Sequence, residues 1–83
     1  MAININQIKS LINQGHIFED EDMSNLDFSG VTLGGAVFTN CLFLKCKFNK
    51  TLMDQVNFIN CDFTDSTFSD ASWVDCNVID STF

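Results

Sequence analysis

Hydrophobic side chains recur at every fifth position over most of this chain, in two columns that are offset by two residues. The column of large side chains contains Phe28, Leu33, Phe38, Phe43, Phe48, Met53, Phe58, Phe63, Phe68, Trp73, Val78 and Phe83. The column of smaller side chains contains Leu26, Val31, Ala36, Cys41, Cys46, Thr51, Val56, Cys61, Ser66, Ala71, Cys76 and Ser81. A fixed period of this kind predicts a solenoid whose repeats bury their inner faces by stacking on one another.

Five-residue units with a small residue, Asp or Asn, and then a large apolar residue resemble the pentapeptide repeat family. Examples are Cys61-Asp62-Phe63-Thr64-Asp65 and Ala71-Ser72-Trp73-Val74-Asp75. The resemblance covers residues 26–83 and implies an all-β solenoid, a right-handed quadrilateral β-helix of about three coils. It also implies that the large column points inward. The predicted structural core is therefore Phe28, Phe38, Phe43, Phe48, Phe58, Phe63, Phe68 and Trp73.

A turn of about twenty residues would place each side chain beside the one twenty positions later, at the roughly 4.8 Å spacing of neighbouring strands. Every lysine of the repeat region would then lie beside an aspartate. The predicted pairs are Asp27 with Lys47, Lys45 with Asp65, and Lys50 with Asp70. Because exposed pairs contribute only about 0–1 kcal/mol each, their expected effect is to favour this stacking register.

Residues 1–25 do not follow the five-residue period. Apolar residues at Ile5, Ile8, Leu11 and Ile12 have helical spacing, and Gly15 is placed to end a helix. A helix this short is marginal in water by itself, so we expect it to cap the open end of the solenoid.

An acidic run at residues 19–22 is predicted to connect the helix to the repeats. Extending the small column backward would place Glu21 inside, and an unpaired buried carboxylate is costly. The sequence therefore predicts a cap and connector at residues 1–25 and the β-helix at residues 26–83, with Phe18 and Met23 in the junction.

The excess of acidic over basic side chains limits the classes of partner that the chain can bind. The 83 residues include 11 acidic and 4 basic side chains, which gives a formal net charge of −7, and the basic residues are all lysines. This balance predicts no direct binding to nucleic acid. The chain also shows no signal peptide and no stretch of about 18 apolar residues, so no membrane insertion is expected. A cytoplasmic location is predicted, and secretion into a host cell by a signal outside this sequence is the alternative.

The residues that usually build catalytic or metal sites are sparse. All four cysteines belong to the small column, which predicts reduced, buried thiols that act as compact hydrophobes. His16 is the single histidine, and its position after the helix favours capping over catalysis. Asp65, Asp70, Asp75 and Asp80 would lie on successive corners and point in different directions. We therefore predict no enzyme, no catalytic or metal site and no cofactor.

Aliphatic side chains at outward positions suggest a protein-binding surface. Phe83, an inward position at the end of the sequence, suggests self-association through the C-terminal end as a second route. The predicted interface residues are Val37, Leu42, Leu44, Ile59, Ile79 and Phe83.

Two functions follow from these features and from the family resemblance. The first is a non-catalytic protein-interaction module or scaffold, as a piece of a longer bacterial protein such as a secreted effector. The alternative is a DNA-mimicking protein that protects gyrase, of the fluoroquinolone-resistance type. Length argues against the alternative, because about three coils give a rod near 14 Å, or about four base pairs.

Overall fold

The computed structural model describes residues 3–83, and residues 1–2 of the predicted cap lie outside this range. Helix α1 spans Ile5–Asn13. Four short strands follow, β1 (Ile17–Glu19), β2 (Val37–Thr39), β3 (Asn57–Ile59) and β4 (Asn77–Ile79). They form one parallel sheet in the order β1-β2-β3-β4, so the chain makes a full circuit between consecutive strands.

The register between strands confirms the twenty-residue turn. Phe38 of β2 pairs with Phe18 of β1 on one side and with Phe58 of β3 on the other. Away from the sheet, isolated parallel bridges keep the same offset, as between Asp27 and Lys47. The two inward columns of the sequence therefore stack as continuous ladders through the molecule.

Stacked aromatic rings fill the interior. Phe28 and Phe48 lie with their ring centroids 4.8 Å apart and their planes within 3°. Neighbouring columns meet edge to face, as where Phe38 and Phe43 contact at 5.2 Å and 82°. Burial stabilises the fold by roughly 1.5–3 kcal/mol for each such side chain. Six predicted core residues are fully buried, namely Phe28, Phe38, Phe43, Phe48, Phe58 and Phe63.

The other two predicted core residues are less enclosed. Phe68 is only partly buried, although it packs against the core. Trp73 remains 37% exposed, so its assignment to the core has to be corrected. Both belong to the last coil, which we define as residues 64–83. No part of residues 3–83 covers the outer side of this coil, so its inward side chains are shielded on one side only.

Helix α1 caps the opposite end of the solenoid. The Asn4 side chain accepts a hydrogen bond from the Gln7 backbone N–H at 2.9 Å, and the Gln7 side chain accepts one from the Asn4 N–H at 2.9 Å. This reciprocal pair satisfies two N–H groups at the start of the helix. Ile8 is completely buried against the core, while Ile5 and Leu11 are partly buried beside it.

The ladders begin earlier than residue 26. Phe18, assigned to the junction from the sequence, is fully buried and stacks on Phe38 with ring centroids 4.9 Å apart. Met23 is 1% exposed. The carboxylate that motivated the later boundary, Glu21, is only half-buried because it lies on the outermost turn of the solenoid. Water reaches it there, so the expected cost of burial is largely avoided.

Candidate interaction surface

The small inward column forms hydrogen bonds as well as packing contacts. The Thr51 hydroxyl donates to the backbone carbonyl of Phe28 at 2.7 Å, and the Cys61 thiol donates to the carbonyl of Phe38 at 3.4 Å. In both cases the acceptor precedes the donor by 23 residues. Thiols and hydroxyls thus bridge adjacent turns of the solenoid, and the cysteines occupy structural positions.

Cys41 and Cys61 are the one pair of cysteines stacked in register, because Leu42 and Asp62 beside them are bridge partners. All four thiols are free; Cys41, Cys46 and Cys61 are buried as predicted, whereas Cys76 is half-buried. The neighbouring Cys41 thiol lowers the pKa of Cys61 to about 7, and the same interaction raises the pKa of Cys41. Burial raises the pKa of Cys46.

The remaining polar residues do not converge on a reaction centre. His16 is exposed and lies edge-on to the ring of Phe18, with centroids 4.7 Å apart. Among residues 3–83, no group of three or more His, Cys, Asp or Glu side chains is placed to hold a metal ion. Over the same residues, no helix is long and apolar enough to cross a membrane.

Asp27 and Lys47 are register partners, as predicted, but the hydrogen bonds of the Asp27 carboxylate come from Ser29 and not from Lys47. Ser29 donates from its backbone to the Asp27 carboxylate at 2.9 Å, and hydrogen bonds from Ser29 are the largest cause of the lowered pKa of Asp27. The charge of Lys47 contributes the least of the causes. Asp27 therefore holds its own turn in place, and Lys47 acts on it at longer range. The backbone register places Lys45 over Asp65 and Lys50 over Asp70, and the side-chain contacts of these two pairs stay predictions.

The predicted aliphatic interface residues are not all direct partners in the strand register. Ile59 and Ile79 are direct partners in the β3–β4 pairing, but the partners of Val37 are Ile17 and Asn57. Val37 and Ile59 are half-buried, whereas Ile79 is 49% exposed.

The second part of the predicted patch is interrupted by carboxylates. Leu42 is 41% exposed, but its bridge partners on either side are Asp22 and Asp62. Leu44 is half-buried, and its backbone N–H donates to the Ser24 hydroxyl at 3.1 Å. Scattered aliphatic side chains of this kind are common on protein surfaces.

Apolar exposure is instead concentrated on the last coil. Among residues 3–83, eight large hydrophobic side chains are exposed, and five of them belong to residues 64–83. They are Trp73, Val74, Val78, Ile79 and Phe83. The predicted interface includes Ile79 and Phe83 but not the other three. Their position on the final turn of the repeat was the available signal, because an inward residue is enclosed only if another turn stacks on it.

Three rings of this coil form an aromatic floor, which we define as Phe68, Trp73 and Phe83. Phe68 contacts Trp73 with centroids 5.2 Å apart and Phe83 with centroids 5.7 Å apart. Phe83, which is 63% exposed, also stacks on buried Phe63 at 5.0 Å. The floor is therefore anchored to the core on one side and open on the other.

Unpaired backbone groups border the aromatic floor. One turn earlier, the N–H of Phe48 donates to the Thr67 carbonyl at 2.8 Å. The equivalent N–H groups of Phe68 and Trp73 donate to no backbone carbonyl within residues 3–83. An apolar surface with free strand-edge groups is a favourable template for pairing with another chain.

The four corners around the floor all carry aspartate. Asp65, Asp70, Asp75 and Asp80 have φ values of 63°, 58°, 54° and 51°, which lie in the left-handed region. All four are exposed. We call this set the acidic rim. As expected from the sequence, these carboxylates occupy successive corners of the coil.

A family model described as pentapeptide repeats (9 copies) matches residues 28–83, which is more than half of the chain. No curated protein matches the chain.

Proposed function

Because this chain belongs to the pentapeptide repeat family, we propose that it is a non-catalytic protein-interaction module that binds through its last coil. The observation that carries the proposal is the concentration of exposed apolar side chains there. A contiguous apolar patch with a polar border is typical of a protein-binding site, whereas singly exposed aliphatic residues need no such explanation.

The aromatic floor supplies the binding energy in this proposal. Large aromatic side chains near the centre of an interface provide much of its affinity. Because Trp73 and Phe83 are held against Phe68 and Phe63, little side-chain freedom would be lost on binding. Leu42 and Leu44 form a secondary candidate contact on the side of the solenoid.

The proposal includes no catalytic centre and no cofactor. The thiols are used to bridge turns of the solenoid, and the exposed His16 packs on an aromatic ring. Four free cysteines favour a reducing compartment, so we place the chain in the cytoplasm. Membership of a longer bacterial protein, such as an effector delivered into a host cell, is the alternative setting.

Gyrase protection by DNA mimicry is the second candidate function, favoured by the net charge of −7. The shape is unfavourable for mimicry of duplex DNA, because the described chain measures 26 × 23 × 22 Å and is not an elongated rod. Its longest dimension corresponds to about eight base pairs, and its three dimensions are nearly equal. A supercoiling assay with purified gyrase separates the two functions: inhibition of gyrase or relief of quinolone poisoning would replace the proposed function with DNA mimicry.

Sedimentation velocity over a concentration series tests the binding surface. At high salt, where carboxylate repulsion is screened, we expect the wild-type protein to self-associate weakly and Phe83→Asp to remain monomeric. Ile17→Asp is the matched control, because Ile17 is 54% exposed at the opposite end of the sheet. Loss of association in Leu44→Asp but not in Phe83→Asp would move the binding surface to the side of the solenoid.

A further inference from the structure

Resting on that proposed function, we propose that the last coil docks a polypeptide surface that is apolar at its centre and carries Lys or Arg around its edge, in preference to a second copy of this chain. The aromatic floor accounts for the apolar centre of such a partner. The acidic rim accounts for the basic edge, because its four carboxylates surround the floor.

The backbone conformation does not require the negative charge of the acidic rim. One turn earlier, the corner positions are occupied by Lys45, Lys50, Gln55 and Asn60 with φ values of 58°, 59°, 60° and 55°. These values match those of the four aspartates closely. Left-handed corners of this solenoid therefore accept basic, neutral and acidic side chains alike. The uniform charge of the rim is a property of the last coil alone.

The backbone register of the chain itself offers a template for this arrangement of charges. Lys45 lies over Asp65, and its N–H donates to the neighbouring Thr64 carbonyl at 3.0 Å. Lys50 lies over Asp70 in the same way, with its N–H donating to the Ser69 carbonyl at 2.8 Å. The backbone register thus places a basic corner over an acidic corner at two positions. A docked partner would repeat this arrangement on the outer side of the last coil.

A second copy fits the same surface poorly. Because every corner of the last coil carries aspartate, each rotation that aligns two such coils end to end places carboxylate against carboxylate. Like charges directly opposite one another destabilise paired strands. A basic edge on the partner removes this repulsion and attracts the rim. The free N–H groups of Phe68 and Trp73 further favour an extended segment that offers backbone carbonyls.

Reversing two charges of the rim provides a sharp test. The test uses the double variant Asp75→Lys/Asp80→Lys. When two copies of this variant meet end to end across a two-fold axis, each introduced lysine faces a remaining aspartate of the other copy. Position 80 then faces Asp65, and position 75 faces Asp70. The end thereby becomes self-complementary. Both substituted corners lie under uncharged residues of the preceding turn, and Lys is already accepted at this backbone conformation. We expect this variant to dimerise at low salt at least tenfold more tightly than the wild-type protein. Asp75→Asn/Asp80→Asn is the matched control and should fall between the two.

The salt dependence separates attraction from simple relief of repulsion. Dimerisation of the double lysine variant should weaken as salt is added, whereas self-association of the wild-type protein should strengthen. Should the double variant not unfold cooperatively, equimolar mixing of wild-type protein with the variant that has lysine at all four corners replaces it. Fluorescence of Trp73, the single tryptophan, reports the contact in either experiment.

The outcomes distinguish this inference from the proposed function. If the wild-type protein dimerises at low salt as tightly as the double lysine variant, and Phe83→Asp abolishes both, the last coil is a docking surface but its charge does not select the partner. That result overturns the inference alone. If neither protein associates at any salt concentration, the last coil is not a docking surface, and the proposed function fails with the inference.

Discussion

Single side chains of the small column stabilise this fold by bonding as well as by filling space. Thr51 is the buried polar side chain of the core, and its hydroxyl satisfies the Phe28 carbonyl. The period of five predicts that this column is inward and compact. It does not predict the hydrogen bond, since the acceptor lies 23 residues away and is found only once the register is known.

Replacing Thr51 with valine tests that role. The shape is nearly conserved, but the carbonyl of Phe28 loses its donor inside the core. We expect a loss of about 1–3 kcal/mol in the free energy of unfolding, measured by urea denaturation. Thr51→Ser keeps the donor and should lose less. Stability of Thr51→Val equal to that of the wild-type protein would show that the hydroxyl only fills space.

The stacked thiols predict an unusual titration. Since the Cys41 thiol lowers the pKa of Cys61 to about 7, one thiolate should appear near pH 7 in the ultraviolet spectrum of the native protein. Cys41→Ala removes the neighbouring thiol and should move this step upward, while Cys46→Ala should leave it unchanged. A step near pH 7 that persists in Cys41→Ala would contradict the assignment.

The same pair has a consequence for stability. An unfolded chain binds both protons up to the ordinary thiol pKa of about 8.5, whereas the native pair has already released one near pH 7. Stability should therefore rise between pH 7 and about 8.5. Above that range the unfolded chain releases both protons while Cys41, with its raised pKa, retains one, so stability should fall. Urea denaturation at a series of pH values measures this maximum in the free energy of unfolding. A free energy of unfolding that does not change across this pH range would contradict the shifted pKa values of Cys41 and Cys61.

At the scale of the elements, the inward and outward assignment is open to a direct test. Phe58 is fully buried between Phe38 and the last coil, so Phe58→Asp places a carboxylate among stacked rings and should abolish cooperative thermal unfolding. Asn60, two residues away, is exposed with φ 55°. Asn60→Gly should be tolerated, because glycine adopts this conformation freely. Equal tolerance of both substitutions would contradict the ladder.

Periodicity predicts the ladders and their register but treats all inward positions as equally enclosed. That assumption holds for Phe43 and Phe48, which have neighbours on both sides along the solenoid. It leaves Phe18 out of the inward ladder, because extending the small column backward would bury Glu21, which is half-buried on the outermost turn. It also places Trp73 in the core, although no further turn within residues 3–83 covers it. Both differences occur at an end of a stacked ladder. The repeating sequence pattern does not indicate which turn is the last to be covered on both sides.

At the scale of the whole molecule, the two ends of the described chain differ. Helix α1 covers one end and buries Ile8 completely, while the rings of the last coil remain open at the other. The described chain has a radius of gyration of 11.2 Å, so its interior lies only a short distance from either end. We therefore expect protection of the backbone to decrease from β2 toward residues 64–83, although the repeats have similar sequences.

Amide hydrogen exchange measures this gradient residue by residue. The N–H groups of Phe48 and Met53 donate to the last coil at 2.8 and 2.9 Å and should exchange slowly, near the rate set by global unfolding. Those of Phe68 and Trp73, which occupy the equivalent positions one turn later, should exchange orders of magnitude faster in the monomer. The two pairs have similar residue types and the same inward placement, so their difference isolates the effect of a covering turn. Equal protection in a monomeric sample would show that the last coil is already covered, which would remove the open surface on which its binding role depends.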